Sequence, residues 1–268
     1  MKVRILTILV MLAVLASSIA ACTTKGGYLV QVMKLAPENT YMITCMDVQK
    51  IMGDREFDFI YDYMMDELSY TGIDIEVSDI SAFATVETGS DYVYMVIGDF
   101  DLEDVRNALI ELDVGFIESE YRGIEIWTDD YETSVAFIDN IIIAGYTDEV
   151  EACIRRHKNQ ASSMYDNEDM KAVADKLPAA AVHSVLGSDV LYDIEVLSGS
   201  VCLRNSTSGD EVLDMSGWLK FDSEASAEDA MTEDLEDDLG WEFNATITDV
   251  SMSGQFIEFT GDMEIPED

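Results

Sequence analysis

Apolar and polar positions alternate from residue 40 to 47, with Tyr41, Ile43 and Cys45 on one side and Met42, Thr44 and Met46 on the other, which is the period of a strand. The period then lengthens. Phe57, Ile60, Tyr61, Met64 and Leu68 recur at helical spacing, behind Asp54 as an N-cap and ahead of Gly72 as a stop. Residues 80–87 and 92–100 predict a hairpin about Thr88-Gly89-Ser90-Asp91. Asp101 caps a second helix with Leu102, Val105, Leu109 and Leu112 inward. Alternating segments follow at 116–121, 124–128, 134–138 and 141–146, the last two turning at Asp139-Asn140. Helical patterns run over 148–158, behind Thr147, and over 168–177, between Asn167 and Pro178.

The rest of the chain repeats this plan. Residues 180–186 predict a strand and 189–197 a helix. A hairpin over 201–205 and 211–221 turns about Thr207-Ser208-Gly209-Asp210. Ser226 with Asp229 has the form of a capping box, opening a helix with Ala227, Met231 and Leu235 on one face. Residues 241–250 and 255–260 make a last hairpin. Thr88-Gly89-Ser90-Asp91, a strand, Phe100-Asp101 and an acidic helix match Thr207-Ser208-Gly209-Asp210, a strand, Phe221-Asp222 and an acidic helix. The expected fold is therefore α+β: an antiparallel sheet built from repeated hairpins, amphipathic helices on one face, and an internal duplication of a β-α-β-β-α-β-β unit. The first unit spans 37–146 and the second 180–268, joined by helices over 147–179.

The N-terminus follows a different pattern. Lys2 and Arg4 precede an uncharged run from residue 5 to 24 whose start is an apolar h-region. It ends in Ile19-Ala20-Ala21-Cys22, which resembles the lipobox of prokaryotic lipoproteins. The resemblance implies a signal peptide over 1–21, a diacylglyceryl group on the Cys22 thiol, and a tether over 22–36. The competing reading is an uncleaved helical anchor, since the run is long enough to span a bilayer. Both place the bulk of the protein outside the cytoplasmic membrane.

Charge narrows the partners. Asp and Glu number 55 against 15 Lys and Arg, a formal charge of −40, and loss of Lys2 and Arg4 with the signal peptide takes it to −42. Nucleic-acid binding needs a basic footprint that is missing here. Docking on anionic lipid by charge is disfavoured too, so the membrane would be held through the N-terminal lipid. A basic protein or a divalent cation remains a suitable partner. Solubility in a saline medium accounts for the same acidity without any partner. With 48% apolar residues the chain can build a core. Apart from Cys22, Cys45, Cys153 and Cys202 remain, with no zinc spacing; one bridge and a free thiol, or three buried thiols, both fit.

Leu35-Ala36-Pro37-Glu38-Asn39-Thr40, Gly98-Asp99-Phe100-Asp101 with Arg106, and Tyr121-Arg122-Gly123-Ile124-Glu125-Ile126-Trp127 resemble an uncharacterised family of prokaryotic surface lipoproteins over roughly residues 35–180. The family has no assigned activity. The resemblance implies surface localisation and gives no chemistry.

Candidate chemistry is sparse. His157 follows Arg155-Arg156 at a helix end, where a cationic trio suits the helix dipole, and His183 sits in the apolar Ala180-Ala181-Val182-His183. Serine-hydrolase, zincin and phosphate-loop motifs are absent, and no cofactor is implied. Asp99, Asp101 and Asp104 at a strand–helix junction, and Asp129, Asp130 and Glu132 in a loop, are oxygen-rich enough for a hard cation, although Asp101 also serves as a helix cap. Tyr63 and Tyr70 fall off the apolar face of their helix and suit a contact surface. The function expected is a non-catalytic, membrane-anchored extracytoplasmic binding or surface module. Alternatives are a carboxylate-dependent hydrolase of the envelope, because paired acids are abundant, and a purely structural envelope protein.

Overall fold

The computed structural model describes residues 27–70, 76–89, 91–111, 115–188, 190–191, 194–206, 212–231 and 234–265. The segment expected to be a signal peptide, Cys22, Gly72 and the turn expected at 207–210 lie outside them. The described chain is α+β, organised on one antiparallel sheet of twelve strands. In chain order these are β1 (Met42–Asp47), β2 (Ile80–Glu87), β3 (Tyr92–Gly98), β4 (Ile117–Tyr121), β5 (Ile124–Thr128), β6 (Thr133–Ile138), β7 (Ile141–Tyr146), β8 (Val182–Gly187), β9 (Ser198–Asn205), β10 (Val212–Lys220), β11 (Ala245–Ser253) and β12 (Phe256–Glu264). Across the sheet the order is β11-β12-β10-β9-β8-β1-β2-β3-β7-β6-β5-β4. The helices are α1 (Gly27–Leu35), α2 (Val48–Ile51), α3 (Asp58–Tyr70), α4 (Leu102–Glu111), α5 (Thr147–His157), α6 (Glu168–Ala174), α7 (Glu224–Ala230) and α8 (Leu235–Phe243).

Both halves lay strands down in a related order. β1, β2 and β3 form a meander, a helix follows, and the returning β7 pairs with β3. β8, β9 and β10 form a second meander, helices follow, and the returning β12 pairs with β10. The two meet at the centre of the sheet, where β1 and β8 run antiparallel with Met46 opposite Val182 and Thr44 opposite Ser184. The first half carries an additional outer hairpin, β4–β5.

The α+β antiparallel architecture is as expected, but the helices cover both faces instead of one. Successive side chains on a strand point to opposite faces, and β1 divides accordingly. Ile43 and Cys45 join a core with Leu29, Val32 and Met33 of α1, Cys153 of α5 and Val173 of α6. Met46 joins a second core with Phe57, Ile60 and Met64, Val105 and Leu109 of α4, and Leu235 and Leu239 of α8. A sheet apolar on both faces needs a layer on each.

Five local expectations are corrected. Residues 27–35 are not a tether: Leu29, Val32, Met33 and Leu35 are buried at helical spacing, and α1 packs on the sheet. Residues 190–191 and 194–197 are not helical; Leu191, Ile194 and Val196 instead fold irregularly into the core. The helix expected from Ser226 is two helices, with Ser223 as the cap of α7, accepting from the Ser226 amide at 3.1 Å. Trp241 lies in α8 and not in a strand, because Asn244, in the left-handed region at φ 49°, ends that helix before β11 begins. Thr147, expected as a cap, is instead the first residue of α5, its hydroxyl donating to the Glu132 carbonyl at 2.8 Å. Asp54 and Asn167 cap as read. Asp54 accepts from the Glu56 amide in a 3-10 turn leading into α3, and Asn167 from the Asp169 and Met170 amides of α6.

Candidate functional site

On the face that carries α3 and α8, the sheet is not fully covered. A cavity of about 410 Å³ remains there, and its wall is almost wholly apolar. Its floor crosses five adjacent strands: Thr44 and Met46 on β1, Val182 and Ser184 on β8, Val201 and Leu203 on β9, Met215 on β10 and Met263 on β12. Phe59, Ile60 and Tyr63 of α3 form one side and Phe243, at the end of α8, closes another. At the ~4.8 Å spacing of neighbouring strands the floor is about 19 Å across.

The sequence explains the opening. In the first half, α2 and α3 connect β1 to β2 and roof that half. The matching connection in the second half, between β8 and β9, contains no helix among its described residues. Leu191, Ile194 and Val196 cover only the end of the sheet near Leu186 and Leu219, where all five belong to one core. The opposite ends of β8, β9 and β10 are left to line the cavity. Three methionines on the floor, Met46, Met215 and Met263, can repack around ligands of different shape.

The floor's polar atoms are already engaged with each other: the Thr44 and Ser184 hydroxyls share a hydrogen bond of 3.0 Å. No carboxylate, histidine or cysteine belongs to the lining, and Tyr63 is its one titratable side chain. Tyr63 is 48% exposed and stands at the mouth. Burial, then the Glu67 charge, raises the Tyr63 hydroxyl above its ordinary value; burial and the neighbouring Glu67 carboxylate do the same for Tyr94. For Tyr92 the Glu87 carboxylate is the main cause. All three phenols therefore stay protonated at neutral pH.

The other expected sites fall elsewhere. Asp101 Oδ1 accepts from the Glu103 amide at 2.9 Å, as a cap for α4, while Asp99 and Asp104 face solvent. Asp129 Oδ1 accepts from the Tyr131 and Thr133 amides at 2.9 and 2.8 Å, which shapes the β5–β6 turn; Asp130 and Glu132 are exposed. Among the described residues no three His, Cys, Asp or Glu side chains are placed to hold a metal ion. The Tyr70 side chain, like Cys22, lies outside the described residues. Cys45, Cys153 and Cys202 are free and buried, on the same face of the sheet. Burial pushes their thiols to about 12, 12 and 11 and suppresses the reactive thiolate. His183 is satisfied by the Pro178 carbonyl at 2.9 Å, and burial lowers its pKa, so its ring is neutral at pH 7. His157 lines a polar cavity of about 440 Å³ with Lys34, Arg156 and Asp166, on the opposite face from the apolar one.

One acidic cleft also exists. Glu195, Asp229 and Asp238 line a space of about 410 Å³ beside Phe221 and Leu235, with no histidine or cation in the lining.

The apolar cavity could not be read from the sequence, since its wall draws on residues from 44 to 263 that are brought together only by the β1–β8 seam. Tyr63, exposed on a helix otherwise apolar inward, was the one visible signal.

No family model matches the chain. It is similar to the uncharacterized protein MJ0635 of Methanocaldococcus jannaschii, at 28% identity over 185 residues, which cover 66% of this chain and 63% of that protein. The match thus spans less than two thirds of the relative's length. Among solved structures, crystal forms I and III of TP0453 superpose with TM-scores of 0.55 and 0.51, each covering 87% of this chain and 92% and 94% of that one, at 8% identity. At that identity the likeness is one of fold. No helix among the described residues is long and apolar enough to cross a membrane.

Proposed function

We propose that the protein is an extracytoplasmic binding module, held to the membrane by lipid on Cys22, that takes an apolar small molecule into the cavity between α3, α8 and the sheet. The cavity itself carries the reading. Its volume falls within the range of about 300–1,000 Å³ usual for small-molecule sites, and its wall is apolar with a few polar groups at one end. The chemistry of the wall suits holding better than cutting. Its hydroxyls bond one another, and its lining includes no carboxylate or histidine to act as a general base. The tether reading rests on the lipobox-like Ile19-Ala20-Ala21-Cys22 behind an h-region.

The test uses a naphthylamine dye whose emission rises in apolar surroundings. Wild type should bind one equivalent. Val201→Trp, which fills the floor, should reduce that binding at least about tenfold with no loss of melting temperature. Equal dye binding by the filled variant would remove the cavity from consideration. Separately, Cys22→Ser should lose incorporation of a palmitate analogue in cells; undiminished label on the variant would refute the lipid tether.

A further inference from the structure

We infer that the ligand is a cationic single-chain amphiphile, its hydrocarbon tail lying along the apolar cavity and its ammonium head held at the mouth by Tyr63, Tyr92, Tyr94, Glu67 and Glu87. This rests on the cavity reading and adds the chemical class of the ligand.

Two independent observations meet at this place. The first is the cavity, an elongated apolar trough with Tyr63 on its wall at one end. The second is the chemistry just outside that end. β3 presents Tyr94 and Tyr92 on the same face as Tyr63, and Glu87, opposite Tyr92 in the β2–β3 pair, lies beside them. Glu67 follows Tyr63 one turn later on α3, and the Glu67 and Glu87 carboxylates act on the three phenols. Aromatic faces grouped with carboxylates attract an organic cation, through the ring quadrupole and through charge. No Lys or Arg belongs to α3. A fatty acid or an alkyl sulfate would bring its anion against two carboxylates in a protein of net charge −40.

The geometry also fixes the orientation of the ligand. The far end of the trough, at Met215 and Met263, is apolar, and the only polar atoms on the floor are the paired hydroxyls of Thr44 and Ser184 near the tyrosine end. A charged head placed at the methionine end would be buried without a partner. Head at the tyrosines and tail toward Met263 satisfies both ends.

The experiment titrates the full chain with three dodecyl compounds below their micellar concentrations: a trimethylammonium, a maltoside and a sulfate. Displacement of the naphthylamine dye reads binding in each case. The expected order is trimethylammonium, then maltoside, then sulfate, with about tenfold or more between the first and last. Glu67→Gln should narrow that gap several-fold. Glu120→Gln, which removes one charge from the far-edge strand β4, should leave it unchanged. Sulfate binding as tightly as trimethylammonium overturns the cationic assignment while leaving the cavity reading intact. If the Glu67 and Glu120 variants narrow the gap equally, the preference belongs to the overall field and the head site is wrong. If no dodecyl compound displaces the dye, the cavity reading fails along with this one.

Discussion

At the scale of single residues, the clearest electrostatic device is not at the cavity but under α4. Arg106 Nε and Nη2 donate to Glu125 Oε1 and Oε2 at 2.6 and 2.7 Å, a two-point clamp that ties α4 to β5. Trp127 Nε1 donates to the same carboxylate at 2.7 Å, and the guanidinium lies 5.4 Å from the centre of the Phe137 ring. The bond from Arg106 is the main reason the Glu125 carboxyl is held below its ordinary value, and the same bond raises Arg106. A depressed carboxyl stabilises the fold at pH values above its unfolded pKa and loses that contribution as pH falls through the folded one. Both side chains keep a quarter to a third of their exposure, so the pair contributes only about 1 kcal/mol. A double-mutant cycle of Arg106→Met and Glu125→Gln should give that coupling at pH 7. It should shrink once the pH drops below the ordinary value of 4.5. A coupling constant down to pH 3 would show that the clamp is not ionic. Arg106 and Glu125 were among the residues quoted in the sequence resemblance, but nothing in their spacing of nineteen residues revealed that they meet.

At the scale of elements, one close approach joins β10, β12 and α8 beside the cavity. A Cβ on Gly217 of β10 would lie 2.1 Å from the Phe259 ring of β12, directly opposite in the pairing, and Phe259 stacks on Phe243 of α8 at 5.3 Å. Glycine here makes room for an aromatic ring that caps the core beside the cavity. Gly217→Ala should therefore destabilise by about 1–3 kcal/mol, through displacement of the ring. Chemical denaturation would measure it, and a change below half a kilocalorie would mean that β12 slides freely. Most strands were legible as short apolar runs rich in β-branched residues between turn signals: β1, β2, β3, β6 and β7 lie where the apolar positions place them. What failed was punctuation. The glycine pair and the lipobox-like segment ahead of α1 point to a tether, although Leu29, Val32 and Met33 have the right spacing for a helix. The break between α7 and α8 carries neither glycine nor proline to mark it. The segment around 194–196 has buried apolar residues at near-helical spacing yet folds irregularly, since its role is to plug one end of the sheet.

At the scale of the whole molecule, the charge is unevenly laid out. α3, α7 and α8 contain no Lys or Arg, and on the same face only Lys50 of α2 and Arg106 of α4 are cationic helix residues, each paired with a carboxylate, whereas Lys34, Arg155, Arg156 and Lys171 lie on α1, α5 and α6 across the sheet. The surface around α3, α7 and α8 is thus strongly anionic, and self-repulsion there opposes folding. Moderate salt should relieve it. The melting temperature should climb with NaCl and respond equally to CaCl₂ at matched ionic strength, because the acid clusters at 99–104 and 129–132 are occupied as a cap and a turn. A much larger response to calcium would reveal a cation site that these contacts do not account for. Overall charge was legible in composition; its segregation by face was not, since that required knowing which helices share a side of the sheet.

The seam between β1 and β8 has a consequence in time. The hydroxyl pair that spans it joins residues 140 positions apart. A chain emerging from its amino end completes the first meander while β8 is still to come. Until residue 187 has emerged, β1 is an open edge with its hydrogen-bonding groups unmet, and open edges invite pairing with other chains. The late arrival of its partner makes this contact slow to form. The interval between the appearance of residues 47 and 187 is therefore when the growing protein is most exposed to misassembly, and when an escort that shields strand edges would matter most.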